Sequence, residues 1–247
     1  CAIDALLNSL PVSRLSRVHR QLNREGNKYN VSYASTAVLA DKLDVLKFEK
    51  FEENKTGVFT TRIKNIKQVI EQYNHLISIY DPCEVAILTY KNIDVDNINR
   101  AILEQVNTEQ YREFKIGCPV MMIRNNYDES LVNGSIGKVV SISNKGLNVE
   151  FNGVIKEFKF FGSKKNKKQL TINDLKICYA FTIHKSQGSE WKAIIFYCGE
   201  IPGIMNKELL YVAFSRAREV LSICGYQPEV INGFGRNSTK KIRKNGL

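Results

Sequence analysis

Tyr179-Ala-Phe-Thr-Ile-His-Lys-Ser-Gln-Gly-Ser-Glu-Trp191 is an apolar strand that breaks into a tight polar loop. Thr182, His184, Lys185, Ser186 and Gln187 crowd hydrogen-bonding groups together, and Gly188 lets the backbone turn without a Cβ penalty. Trp191-Lys-Ala-Ile-Ile-Phe-Tyr197 then resumes an apolar run of strand character. A polar loop hung between two buried strands is where α/β proteins hold ligands.

The flanking sequence carries the same alternation. Ile66, Val69, Ile70, Tyr73, Leu76, Ile77 and Tyr80 form one apolar stripe, which predicts a helix over 65–80 that Asp81-Pro82 stops. Glu84–Thr89 is continuously apolar rather than alternating, as a strand buried in a parallel sheet requires. Tyr90-Lys-Asn92 leaves its end as a polar loop, and Asp94–Val106 predicts a second helix with Val95, Ile98, Ile102 and Leu103 inward. Further helices are expected over Cys1–Leu10, Ser35–Phe51 and Asn206–Ala217, and a last strand over Val220–Cys224. Arg14–Gln21 is a short apolar strand with a basic cluster, and Glu49–Lys55 a charged linker broken by Gly57. Helix, strand, loop, helix is the α/β order.

Gly117–Arg124 is expected as another short strand, and after it the texture changes. Short strands are expected at 138–143, 147–151 and 154–160, with Asn152-Gly153 a tight-hairpin signal. These strands read as a small β-barrel, with Asn133 and Gly134 shaping its first turn. The chain is expected to return to the parallel sheet from Leu175.

The 247 residues carry a formal net charge of +11, which suits a polyanionic partner, nucleic acid first. The six cysteines lie far apart, with no CxxC or Cys/His ligand spacing. That disfavours structural zinc and suits a reducing, intracellular setting, cytoplasmic or nucleoid- or virus-associated. No apolar run reaches membrane-spanning length, so no membrane partner is expected. The tail over 227–247 is basic and reads as flexible and electrostatically sticky, while Ser163–Lys168 reads as a basic loop at the barrel's edge or simply a solvated loop tip.

No G-x-x-x-x-G-K-[ST] loop occurs, so the chain cannot hold a nucleotide in the P-loop manner by itself. Arg20, Arg216 and Arg218 follow apolar segments, where a fixed guanidinium can stabilise charge on a transferring phosphoryl group. They read equally as a solvated patch (Arg20) and as cations favoured by a helix C-terminus (Arg216, Arg218).

Tyr179–Trp191, taken with Tyr211-Val-Ala-Phe-Ser-Arg-Ala-Arg218, resembles motifs V and VI of superfamily 1 helicases of the RecD-like, 5′-to-3′ branch. Leu15–Gln21 resembles their motif IV segment. Val85–Asn92 and Val95–Asn99 resemble the strand, loop and helix of the second motor domain, and Gly117–Asn126 with Val132–Gly137 the start of an SH3-like insert. The resemblance is weak over 22–80. It implies a RecA-like, P-loop-NTPase-type parallel sheet with helices on both faces, plus a small SH3-like β-barrel insert. Its divisions would be 1–21, the end of a first RecA-like domain; 22–125 and 175–226, the two parts of a second; 126–174, the insert; and 227–247, a basic tail.

The resemblance also implies roles. Arg20 and Arg216 would be catalytic, reaching the γ-phosphate of ATP. Gln21, Gly188 and Glu190 would face the nucleotide. Thr89, Asn92, Thr182, His184, Lys185 and Ser186 would face single-stranded DNA, and Arg218 is read as structural. The cofactors implied are ATP and Mg2+, the ion held mainly outside this chain. The family's P-loop, acidic pair and motif III glutamine have no counterpart here. The chain is therefore expected to be the C-terminal motor portion of a DNA helicase, inactive without an N-terminal RecA-like domain in the same chain or a separate subunit. The alternative is a non-catalytic single-stranded-DNA-binding remnant or subunit.

Overall fold

A computed structural model of the chain describes residues 57–61, 65–162, 169–199 and 207–225. The expected elements at Cys1–Leu10, Arg14–Gln21 and Ser35–Phe51, the loop Ser163–Lys168 and the tail from 227 lie outside the described residues.

The core is a five-stranded, wholly parallel sheet in the order β1-β12-β11-β2-β10. Its strands are β1 (Gly57–Thr61), β2 (Val85–Thr89), β10 (Ala180–Thr182), β11 (Trp191–Tyr197) and β12 (Ala217–Cys224). Continuous apolarity in β2 has its expected cause, because both faces are covered. Val85 and Ile87 pack on one side with Val69, Tyr73 and Leu76 of α1 (Ile66–Ile77) and Val95 and Ile98 of α2 (Asn92–Gln105). Ala86 and Leu88 pack on the other with Leu210, Ala213 and Phe214 of α3 (Lys207–Phe214). Asn65 starts α1 by accepting the Gln68 N–H on its Oδ1 at 3.0 Å.

The intervening chain forms a short hairpin, β3 (Gln110–Tyr111) with β4 (Phe114–Lys115), and a five-stranded antiparallel sheet in the order β8-β7-β6-β5-β9. The latter comprises β5 (Pro119–Met122), β6 (Ile136–Ile142), β7 (Gly146–Phe151), β8 (Val154–Lys159) and β9 (Leu175–Ile177). Asn152 and Gly153 turn β7 into β8 with φ of 50° and 83°, the paired positive values of a type I′ turn. The Lys159 N–H reaches the Leu170 carbonyl at 3.0 Å, linking β8 to the segment just ahead of β9.

Three expectations shift. Leu175–Ile177 does not return to the parallel sheet; it pairs antiparallel with β5, and only Ala180 onward joins β2. The helix expected to Ala217 ends at Phe214, because Ala217 pairs with Trp191 in the parallel ladder. Gly57–Thr61, expected only as a break after a linker, is an edge strand along β12. No helix among the described residues is long and apolar enough to cross a membrane.

Candidate nucleotide and nucleic-acid interface

Parallel strands end together, so β2 and β10 deliver Thr89 and Thr182 side by side at the carboxyl edge of the sheet. Thr89 is fully buried, and its Oγ1 has no hydrogen-bond partner among the described residues. Past β2, α2 begins at once with exposed Asn92.

Past β10, residues 183–190 fold into a compact loop. The Ile183 N–H donates to the Thr89 carbonyl at 3.0 Å, and the Ser186 N–H to that of Thr182 at 3.1 Å. Ser186 is buried and its Oγ donates to the Ile183 carbonyl at 2.7 Å, so the hydroxyl is committed to the loop itself. The Lys185 N–H meets Thr182 Oγ1 at 3.4 Å. With Ile183 and Ser186 turned inward, His184, Lys185 and Gln187 are left exposed. Gly188 has φ of 91°, the left-handed side that favours glycine, and Glu190 is exposed.

Arg216 lies against the far end of this loop. Only 8% of it is exposed, and its guanidinium is held at three points. Nε donates to the Val212 carbonyl at 3.1 Å, Nη1 to the Ser189 carbonyl at 3.2 Å and Nη2 to Ser215 Oγ at 3.0 Å. In return the Trp191 N–H donates to the Arg216 carbonyl at 3.0 Å. Arg218 lies on β12, exposed.

The predicted residues among those described thus fall into two groups, one at each end of this loop. Gly188, Glu190 and Arg216 gather at its α3 end. Asn92, Thr182 and Lys185 line one small cavity beside α2, with Thr89 next to Thr182. His184 is on the same exposed turn. Arg20 and Gln21 lie outside the described residues. Among the described residues no group of three or more His, Cys, Asp or Glu could hold a metal ion.

Asn99 had not been singled out. Its buried amide takes the Ala180 N–H on Oδ1 at 2.8 Å and offers Nδ2 to the Ala180 carbonyl at 3.5 Å, tying α2 to the free edge of β10. An asparagine four residues after Val95, on the inward stripe of α2, was the available signal.

Residues 178–224, the loop together with α3 and β12, match the family model described as the UvrD-like helicase C-terminal domain. The chain is similar to RecD-type helicases over much of its length. The RecBCD enzyme subunit RecD of Buchnera aphidicola subsp. Acyrthosiphon pisum is 28% identical over 187 residues, 72% of this chain and 29% of that protein. The ATP-dependent RecD2 DNA helicase of Deinococcus radiodurans is 29% identical over 109 residues, 43% of this chain and 14% of that protein. The chain therefore spans less than a third of either relative's length. Among solved structures, a Pif1 helicase from Bacteroides in complex with ADP-AlF3 and ssDNA aligns with TM-score 0.57 and 18% identity, over 93% of this chain and 55% of that one. At that identity the likeness is one of fold: the parallel sheet and its helices are arranged as in that protein.

Proposed function

We propose that this chain is the C-terminal motor portion of an ATP-dependent 5′-to-3′ DNA helicase, working with an N-terminal RecA-like partner that supplies the P-loop and the Mg2+ ligands. The observation that carries the reading is a coincidence of position. The segment matching a helicase C-terminal domain, 178–224, is the one in which Arg216 is hydrogen-bonded to the loop at Ser189.

In this reading ATP supplies the free energy at the cleft between the two units. Arg216, with Arg20, offers its guanidinium to the γ-phosphate, while Gln21, Gly188 and Glu190 face the nucleotide. The other end of the loop grips single-stranded DNA through Thr182, His184 and Lys185, joined by Thr89 and Asn92. Hydroxyl, imidazole, amide and ammonium contacts to phosphates carry no base preference, which a translocating motor needs. Ser186, with its hydroxyl held by Ile183, shapes the loop. The β5–β9 sheet takes the place of the SH3-like insert. Such a protein acts where DNA is, in the cytoplasm or associated with a nucleoid or a virus, in a reducing setting that suits cysteines as widely spaced as these.

The test joins the chain to a P-loop-containing N-terminal half and measures DNA-stimulated ATP hydrolysis. Turnover that needs both halves and is abolished by Arg216→Ala, with single-stranded DNA still bound, supports the reading. Undiminished turnover by Arg216→Ala overturns the role of Arg216. Appreciable turnover by the chain alone overturns the division of the site. Binding of DNA without any turnover in the joined protein favours a non-catalytic DNA-binding subunit.

A further inference from the structure

The cavity beside α2 is built from more than the two loops already assigned. It has a volume of about 20 Å³ and is lined by Asn92 and Asn99 of α2, Thr182 at the end of β10, Lys185 of the loop and Lys176 of β9. A space of this size holds one or two water-sized groups. Lys176 and Lys185 among its lining residues, beside the exposed amide of Asn92, suit an anionic oxygen.

Lys176 is the unexpected member. It belongs to the antiparallel sheet, where it pairs with Met121 of β5. Its Nζ lies 3.5 Å from Asp96 Oδ1, and the two side chains are 49% and 54% exposed. An ion pair that long and that wet is worth little and exchanges readily. Asn99 fixes the opposite wall through its two bonds to Ala180.

We propose that Lys176 binds a backbone phosphate of single-stranded DNA together with Lys185, so that the antiparallel sheet takes a direct part in the grip. The inference rests on the reading of the Thr182–Ser186 loop as DNA-facing. A phosphodiester oxygen enters between the two ammonium groups, and Lys176 exchanges the Asp96 carboxylate for it. Asp96 thereby acts as a competitor that weakens binding. Binding through ammonium groups alone is independent of sequence.

The experiment measures binding of a fluorescent single-stranded oligothymidine to the 247-residue chain by anisotropy across a salt series. Lys176→Ala is expected to weaken binding several-fold at low salt. It should also reduce the slope of log affinity against log salt by about 0.7, the loss of one phosphate contact. Asp96→Asn is expected to tighten binding about two- to five-fold, and to give no gain in the Lys176→Ala background. Lys145→Ala, in the β6–β7 turn and not among the residues lining the cavity, is the control for lost net charge. If Lys185→Ala weakens binding but Lys176→Ala behaves like the control, the inference fails and the DNA-facing loop stands. If Lys185→Ala has no effect either, or the chain does not bind, the loop reading fails with it. Thermal melts of each variant exclude loss of fold, which two exposed lysines are not expected to cause.

Discussion

The guanidinium of Arg216 donates to the main-chain carbonyl of Ser189 at 3.2 Å, while the main chain of Arg216 accepts the Trp191 N–H at 3.0 Å. One residue at the end of α3 is thus bonded on both sides of Glu190. A change in the Gly188–Trp191 backbone must move the arginine, and the reverse. That linkage gives a physical route between the arginine proposed to face the nucleotide and a loop whose other end lines the Lys185 cavity.

The structural role of Arg216 and the catalytic role proposed for it are separable by experiment. In the joined two-half protein, Arg216→Lys keeps the positive charge but loses the three-point anchorage. We expect turnover to fall by about 10³ or more, as loss of a phosphate-directed arginine does elsewhere. Single-stranded-DNA affinity should change by less than about tenfold. Steady-state ATPase and anisotropy titrations read the two quantities. Equal losses in both would assign Arg216 to the loop's structure alone.

Gly188 is a backbone requirement rather than a close fit. A Cβ built there meets nothing within 4 Å, yet φ is 91°. Gly188→Ala is therefore expected to lose about 1–2 kcal/mol through strain alone. Urea unfolding should show a lower midpoint with unchanged slope. A neutral result would mean that the loop relaxes to another conformation, and the distance from Arg216 to Ser189 would then change.

Much of this was legible in the sequence for identifiable reasons. The α1 stripe, the unbroken apolarity of β2 and the Asn152-Gly153 turn are local signals, and local signals set those elements. Arg216 and the loop stand out in the sequence because their side chains form a pattern. What escaped is non-local. Gly57–Thr61 is five residues with no period of its own and becomes a strand by pairing with β12. The Ser215-Arg216-Ala217 run has fair helix propensity, but Ala217 is captured by Trp191, and tertiary pairing wins over propensity. The Ser189 acceptor is a main-chain carbonyl, which no side-chain pattern reports. Lys176 reaches the cavity because β9 joins β5, a register that nothing in Leu175-Lys-Ile177 announces.

A buried polar chain holds α1 to β12. Gln72 Nε2 donates to Ser222 Oγ at 2.5 Å, and the Cys224 thiol donates to Gln72 Oε1 at 2.7 Å. Ser222→Ala leaves a buried amide hydrogen without its acceptor, a loss of about 1–3 kcal/mol. Cys224→Ala removes only a weak thiol donor and a small volume, so its effect from the hydrogen bond should be smaller. Denaturant melts of the two variants should rank in that order. The reverse ranking would show that packing around Cys224, not the amide, governs this joint.

Acid should loosen the join between the two sheets. Lys138 of β6 and Asp81, just past α1, are paired at 2.5 Å. Burial works against the Asp81 charge, but the hydrogen bonds from Lys138 and the Cys83 N–H outweigh it, leaving the carboxyl below its ordinary value. A carboxyl lowered in the folded state stabilises above its unfolded value, about pH 4, and that contribution disappears as pH falls below it. The Asp81 hydrogen bond raises the Lys138 ammonium, so its share persists until pH rises past about 10.4. Asp81→Asn should lower the melting temperature at pH 7 and converge with the parent towards pH 3. A constant difference across that range would remove the pair as its cause.

Thr89 offers a test in which stability and binding move apart. Its Oγ1 is buried without a partner among the described residues, at the end of β2 beside Thr182. Thr89→Val replaces the hydroxyl by a methyl of similar size. Removing an unsatisfied buried group should leave the fold as stable as before, or up to about 1–3 kcal/mol more stable. If the hydroxyl serves DNA, by donating to a phosphate once the strand is seated, the same substitution should weaken single-stranded-DNA binding. Thr89→Ser should do the opposite, retaining binding and losing about 0.8 kcal/mol for the missing methyl. Melts and anisotropy on the two variants decide it. A Thr89→Val protein that is more stable and binds DNA like the parent would leave the hydroxyl without a function in this site.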